Sequence, residues 1–296
     1  MNLLHFGLFS PQEPQHGLRN ALIKLSTRYS EHSWTHRPKQ AVAYFHELIR
    51  KNKPDTVFMQ MNGCDIIPAT DVAKYPDIRF INFNGDVRAE IPKWHYEVAP
   101  YCLNVFTNTD WVAAVPNSRY MQISCYLNIY KPTGRKIEGQ VVFLGNNHGD
   151  SYELSALRGE MVERFRSKPW FKVYGRGWGK GVEDLNYKQA TEAAVYRGAK
   201  IGINLSHMDL NDYTSDRLFR IMSCGCLSLA YKHKGIEREF GDNIHLRTWS
   251  TLDELESLIE YYLQEINRDE LRTIAEQGCN LVRTHYSWEQ RLKTIL

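Results

Sequence analysis

The sequence predicts an α/β protein of two Rossmann-like halves, each a parallel sheet covered by helices. Three observations carry that expectation. Short apolar runs alternate with helical periods twice over, once before Tyr130 and again after Gly139, which implies right-handed crossovers and strands buried on both faces. Between the two series lies YKPTGRKIEG (130–139), whose proline, two glycines and basic cluster have the composition of an interdomain linker. A length of 296 residues is also long for one core and comfortable for two domains. The expected division is 1–133 and 134–296, with a central cleft between the halves.

In the first half, Leu3–Phe9 reads as a strand leading into the turn-rich SPQEPQHG. Leu18, Ala21, Leu22 and Leu25 line one face of a helix. Tyr29–Pro38 reads as a polar connection. Ala41, Val42, Phe45, Leu48 and Ile49 mark a second helix, ended by Lys53-Pro54. Thr56–Met61, Arg79–Phe83 and Leu103–Thr107 read as strands and Ser118–Leu127 as a helix.

In the second half, Val141–Leu144, Phe171–Tyr174 and Lys200–Leu205 read as strands, with helices over Leu154–Phe165 and Tyr187–Gly198. After an irregular stretch, KHKGIEREFGDNIHL, three helices are expected over Leu252–Ile266, Glu270–Thr284 and Ser287–Leu296.

Hydrophobic content of 43% and charged content of 24% are those of a soluble globular protein. No apolar run approaches a membrane span, and MNLLHFGLF lacks the basic flank and cleavage site of a signal peptide. A cytoplasmic location and no transmembrane segment are expected. The six cysteines form no C-x-x-C pair and read as small buried hydrophobes. A formal charge of +3 is mild, and the local Lys/Arg clusters read as solvated faces rather than a nucleic-acid footprint.

Ligands of parallel sheets collect beyond the carboxyl ends of strands. Three polar clusters of the first half fall there: Gln12–Gly17, Gln60–Asp65 and Asn84–Arg88. The most informative stretch is Ile201–Tyr231, a buried strand, a polar loop, a helix start and the next strand. Ser215 or Asp216 caps a helix on which Leu218, Ile221 and Met222 recur at helical spacing, and Gly225 stops it. Such a helix start offers free amides and the positive end of the helix dipole, a seat for phosphate. Arg217 in its first turn is unfavourable by about a few tenths of a kcal/mol unless an anion is near.

Other chemistries are poorly supported. G-x-G-x-x-G begun at Gly175 needs glycine where Lys180 stands, and no G-x-x-x-x-G-K-[ST] occurs. The eleven histidines are scattered, without H-E-x-x-H or G-x-S-x-G. Asp86, at a strand's carboxyl end beside Arg88, is the carboxylate suited to deprotonate an acceptor hydroxyl; capping the next helix is its alternative role.

The blocks VVFLGNN (141–147), LRGEMVERF (157–165), VYGRGW (173–178), GINLS (202–206), SDRLFRIMSCGC (215–226), GIEREFGD (235–242) and HYSWEQRL (285–292) occur in this order. Together they resemble the C-terminal domain of the CgeB-like (spore-maturation-protein-like) glycosyltransferases, relatives of family 4. INFNGDVR and NVFTNTDW carry a looser resemblance in the first half. The resemblance implies a GT-B fold, with an N-terminal acceptor-binding domain and a C-terminal domain holding a nucleotide sugar. It implies no bound metal and no cofactor, the nucleotide sugar being a co-substrate, by family habit a UDP-sugar such as UDP-glucose.

Under that resemblance Gly145, Asn146, Tyr174, Arg176, Ser215, Asp216, Arg217, Arg220 and Glu237 are the donor-binding candidates. Asp86, Arg217 and Arg176 are the catalytic candidates, and His16, Gly17, Asn62, Asn84, Asp86 and Arg88 those for the acceptor. One departure stands out: the family glutamate that holds the ribose hydroxyls is Arg220 here, which has no acceptor, so either that role passes to Glu237 or Glu239 or the nucleotide is bound differently. The expected activity is transfer of a hexose to an acceptor hydroxyl, with retention as the expected outcome. The acceptor is a glycan or, alternatively, a 5-hydroxymethyl-pyrimidine in phage-type modified DNA; a non-catalytic nucleotide-sugar-binding protein is the remaining alternative. Oligomeric state is left open.

Overall fold

The computed structural model describes residues 1–10, 15–62, 66–134, 140–186 and 188–296. Residues 12–14 and 63–65 of the expected polar clusters, 135–139 of the expected linker, and Tyr187 lie outside the described residues. The chain forms two compact units, Met1–Ile123 with Trp288–Leu296, and Ser124–Ser287. The division thus falls ahead of the 133/134 boundary expected from the linker composition. The tail belongs to the first unit, because Leu292 and Ile295 bury in the same core cluster as Leu18 and Leu22.

In the first unit β1 (Asn2–Gly7) leads to α1 (His16–Leu25), β2 (Arg28–Ser33), α2 (Ala41–Asn52) and β3 (Thr56–Met59). Then come α3 (Ala69–Val72), β4 (Arg79–Asn84), α4 (Trp94–Val98), β5 (Cys102–Phe106), α5 (Thr109–Ala114) and β6 (Ser118–Tyr120). The strands are parallel in the order β2-β1-β3-β4-β5-β6. Successive strand residues point to opposite faces. Leu4, Val57, Met59 and Phe80 therefore enter one core with Phe45 and Trp94, while Leu3, Phe58 and Ile81 enter the other with Leu18 and Leu22. Burial of Ala41, Phe45 and Ile49 at four-residue intervals seats α2, and Lys53 ends it in the left-handed region (φ 46°) ahead of Pro54.

Two expectations fail in this unit. The supposed connection from Tyr29 contains β2, an edge strand whose polar RYSEHS lacks an apolar alternation because most of it is only half-buried. The supposed helix over Ser118–Leu127 begins as β6, which borrows its hydrogen bonds from β5 in the pairs Asn104–Ser118 and Phe106–Tyr120.

Two histidines lie wholly inside this unit. His5 Nε2 faces Gln60 Oε1 at 2.8 Å and His5 Nδ1 faces the Tyr29 hydroxyl at 3.1 Å. Asn84 Nδ2 donates to His95 Nε2 (3.1 Å), and His95 Nδ1 donates to Asn104 Oδ1 (3.1 Å). Burial pushes both imidazoles down to about 4.

The second unit holds β7 (Val141–Leu144), α6 (Ser155–Phe165), β8 (Phe171–Tyr174), α7 (Gln189–Gly198) and β9 (Ile201–Asn204). It continues through α8 (Asp216–Ser223), β10 (Leu227–Tyr231), β11 (Arg247–Trp249), α9 (Leu252–Leu263) and α10 (Arg268–His285). The closing α11 (Trp288–Leu292) is shorter than expected and belongs to the first unit. The parallel order is β11-β10-β9-β7-β8. From β7 the chain runs outward to β8, then crosses to β9 on the other side, so the β7/β9 junction is a topological switch point.

Helix ends are specified locally. Thr251 and Glu254 form a reciprocal capping box on α9. Gly225 (φ 74°) ends α8 with its own amide on the Met222 carbonyl (2.9 Å) and that of Cys226 on Ile221 (3.3 Å), a Schellman pair. The short edge strand β11 falls between the expected irregular stretch and the helix expected from Leu252, where three residues give no period to detect.

Both buried histidines are neutral in the folded state and titrate near 6.5 when unfolded. The unfolded chain binds more protons between those values, so stability is full above about pH 6.5 and is lost as pH falls towards 4, by about 1.4 kcal/mol per pKa unit for each group. Urea midpoints followed by tryptophan fluorescence are expected to hold from pH 8 to 7 and fall below 6.5, with a shallower fall in His95→Gln.

Candidate functional site

At the switch point the carboxyl ends of β7 and β9 are joined by two arginines. Arg217, second residue of α8, donates through Nε to the Leu144 carbonyl, and through Nη1 to the Leu205 carbonyl (3.1 Å) and Ser215 Oγ (3.2 Å). Arg158, from α6, donates through Nη1 to the Asn146 carbonyl (3.1 Å) and through Nη2 to that same Leu205 carbonyl (2.8 Å). Both guanidinium groups lie over the Phe143 ring, 5.2 Å and 5.7 Å from its centre. Among the described residues neither forms an ion pair with a carboxylate. Arg158 is 3% exposed, its Nε has no partner, and burial together with the charge of Arg217 pushes its pKa down to about 9.

The β8 side is knitted to the same place. The Gly145 amide donates to the Tyr174 carbonyl (2.9 Å), and Trp178 Nε1 donates to the Gly145 carbonyl (2.6 Å). Asn146 Oδ1 accepts from the Arg176 amide (2.9 Å) and Asn186 Nδ2 (3.0 Å). Gly175 (φ 130°) is needed here, since a Cβ would stand 2.3 Å from the Gly145 carbonyl oxygen. At Gly145 a Cβ would meet Arg217 Nη2 at 3.0 Å, so a bare backbone admits the guanidinium.

Ser215 is the N-cap of α8, as its type suggests, yet its side chain makes no capping bond. Its Oγ donates instead to Asn204 Oδ1 (3.1 Å), leaving the first-turn amides without a side-chain cap. Four rings border this mouth: His148 lies 5.1 Å from Tyr152, Tyr152 4.6 Å from His207, and His207 6.1 Å from Tyr213. Burial, then the charges of Arg158 and Arg217, hold His148 below its ordinary range.

The structure therefore gathers Gly145, Asn146, Tyr174, Ser215 and Arg217. The remaining donor candidates are engaged elsewhere or stand apart. The Arg176 side chain pairs with Asp184 (2.7 Å) and is 63% exposed. Arg220 donates to both Glu192 oxygens (2.9 and 3.0 Å) and to Asp216, with the Tyr130 ring 5.5 Å away. The Tyr130 hydroxyl donates to Glu192 at 2.7 Å. Burial opposes the charge of Arg220, but the carboxylates of Asp216 and Glu192 outweigh it and raise its pKa. Glu237 is exposed in the turn Ile236–Arg238. The backbone carbonyl of Glu239 accepts from the Tyr286 hydroxyl (3.2 Å).

In the first unit the acceptor candidates occupy three strand–helix joints along one sheet edge. Asn84 is buried, and its Oδ1 accepts the Asp86 amide at 3.0 Å. Asp86 and Arg88 approach at 3.4 Å, each side chain about half exposed. Asn62 follows β3 in the left-handed region (φ 47°), while His16 and Gly17 open α1.

Sequence reasoning missed Arg158 and the ring border. A signal for Arg158 existed: it shares one helical face with Met161, Val162 and Phe165, all buried, so an arginine stands inside an apolar stripe. Among the described residues no group of three His, Cys, Asp or Glu side chains is arranged to hold a metal, and no helix is long and apolar enough to cross a membrane.

Comparisons with known proteins bear on the fold and on the sequence of the second unit. Residues 158–296 match a family model described as glycosyl transferase-like. The whole chain resembles solved GT-B structures at low identity. HepE of Anabaena in complex with UDP-glucose aligns with 11% identity over 99% of each chain (TM-score 0.70). A sucrose-phosphate synthase of Thermosynechococcus elongatus aligns with 10% identity over 99% of this chain and 97% of that one (0.65). A glycosyltransferase of Rickettsia africae ESF-5 aligns with 11% identity over 99% and 95% (0.64). Comparison with curated proteins gave no match. The fold is thus that of GT-B glycosyltransferases: two parallel-sheet, Rossmann-like domains.

Removing one partner of a buried ion pair typically costs about 3 kcal/mol or more, whereas replacing both by apolar groups costs little. Glu192→Ala is expected to lower unfolding free energy by about 3 kcal/mol, and Glu192→Leu/Arg220→Met to recover most of it, measured by urea denaturation.

Proposed function

We propose that the protein is a nucleotide-sugar-dependent glycosyltransferase that moves a hexose from a UDP-sugar to an acceptor hydroxyl. The observation that carries this reading is Arg217, a cation without a carboxylate partner at the uncapped start of α8, inside the segment that matches the glycosyl transferase-like model. A cation at a helix start is unfavourable alone and favourable with an anion bound. The donor diphosphate is that anion.

As the glycosidic bond to the diphosphate breaks, negative charge grows on the departing oxygen. Arg217 and the first amides of α8 are preorganised to stabilise it. Arg176 joins them by releasing Asp184, which its exposure allows. Gly145 and Asn146 supply backbone beside the donor, and Tyr174 a packing surface. Asp216 stays clamped by Arg220, and the exposed Glu237 takes the ribose hydroxyls. In the first unit Asp86 orients the acceptor hydroxyl, with Asn84 fixing its turn and Arg88, Asn62, His16 and Gly17 lining the approach. The reaction is assigned as retaining and without a metal or other cofactor, and a cytoplasmic location suits a soluble nucleotide-sugar donor. A glycan acceptor is favoured over hydroxymethylated DNA, since the charge of +3 is small for a duplex-binding surface.

Removing an oriented charge stabiliser lowers turnover by about 100-fold or more. Arg217→Gln is expected to reduce UDP release from UDP-glucose by about that factor while retaining the wild-type circular dichroism spectrum. Calorimetry with UDP-, GDP-, ADP- and TDP-hexoses that gives no heat removes the assignment.

A further inference from the structure

We infer that Arg158 is a positioning residue of the donor seat, setting the direction of the Arg217 fork through the Leu205 carbonyl that both share. The inference rests on the glycosyltransferase reading for the identity of the anion and deepens it.

Three features support this role. Arg158 reaches from α6 to both strands of the switch point, holding the Asn146 carbonyl beyond β7 and the Leu205 carbonyl beyond β9 at 3.1 and 2.8 Å. Arg217 reaches from α8 to the same two strands, through Leu144 and Leu205. The shared oxygen and the shared Phe143 ring hold two like charges together, and among the described residues no carboxylate neutralises either. A pure scaffold normally pairs a buried cation with an acid, as Arg220 is paired with Glu192 and Asp216 in this same unit. The switch-point pair lacks that acid. A bound pyrophosphate supplies the missing charge, and the 3% exposure of Arg158 leaves Arg217 to touch it.

Lysine keeps the charge of Arg158 but cannot bridge two carbonyls with a planar fork. Arg158→Lys is therefore expected to weaken inorganic pyrophosphate and UDP at least about tenfold, while uridine affinity, read by ligand-observed NMR, stays within about twofold of wild type. Wild-type pyrophosphate affinity in the variant, or equal losses for uridine and UDP, overturns the inference. The second outcome marks a general structural role. Should Arg158→Lys not fold, the Arg158 Nε–H resonance of the wild-type protein decides: a shift with pyrophosphate but not with equal ionic strength of sodium chloride supports coupling, and no shift overturns it. The two readings fail separately. Pyrophosphate binding that depends on Arg158, without binding of any nucleotide hexose, removes only the glycosyltransferase assignment. Nucleotide-hexose binding unchanged in Arg158→Lys removes only the positioning role.

Discussion

The carbonyl oxygen of Leu205 accepts from two guanidinium groups, and the second unit is arranged around that shared acceptor. It lies just past the end of β9, where a parallel strand leaves carbonyls that its neighbours no longer satisfy. Arg217 answers from the helix that follows, and Arg158 from the helix that follows β7. Because each arginine also holds a carbonyl at or just past the end of β7, Leu144 for Arg217 and Asn146 for Arg158, the two strand ends are tied together. The bare backbone at Gly145 and the close approach at Gly175 follow from this: a side chain at either would collide with the guanidinium or the neighbouring strand. The missing side-chain cap on α8 follows as well, since Ser215 Oγ is engaged by Asn204 and Arg217.

A second arginine on the same helix shows what a purely structural cation looks like. Arg220, three residues after Arg217, projects to α7 and meets two carboxylates and a tyrosine ring. Its charge is balanced within the fold, and breaking that balance damages stability. Among the described residues Arg217 and Arg158 meet backbone carbonyls, the Ser215 hydroxyl and the Phe143 ring, and no carboxylate. A carbonyl oxygen carries a partial charge, so two guanidinium groups over one phenyl ring retain a positive field that favours an anion. Charge bookkeeping along eight residues of α8 thus separates scaffold from candidate site.

Much of this was legible in the sequence for a physical reason. Strands buried on both faces read as continuous apolar runs, and helices that bury one stripe read at a 3.6-residue period, so the central strands and the long helices were visible. The strands missed were β2, β6 and β11, all at sheet edges, short or polar, and defined by their partner strand rather than by their own residues. The switch-point loops were visible through Gly145, Asn146, Ser215 and Arg217. Arg158 was not singled out: its place inside an apolar stripe was legible, but its hydrogen-bond partners, backbone carbonyls past the ends of distant strands, were not. The engagement of Arg220 by Glu192 was hidden likewise by a separation of 28 residues. The return of the tail to the first unit depends on burial beside Leu18 and Leu22, a pairing of opposite chain ends that no local pattern encodes.

The two units repeat one topology but fill its equivalent point differently. In the first, the strand order also places a switch between β1 and β3. There Gln60 Oε1 accepts from His5 Nε2 at 2.8 Å and Gln60 Nε2 donates to Gln15 Oε1 at 2.8 Å. These groups are uncharged, and burial holds the imidazole neutral. In the second unit the same topological position carries two arginines. Neutral amides recognise hydroxyl groups by geometry at little desolvation penalty, whereas guanidinium groups recognise phosphate oxygens by charge and by their planar fork. Two otherwise similar sheets thus carry a neutral cluster and a cationic pair at one topological position, and an anion is the better guest of the second.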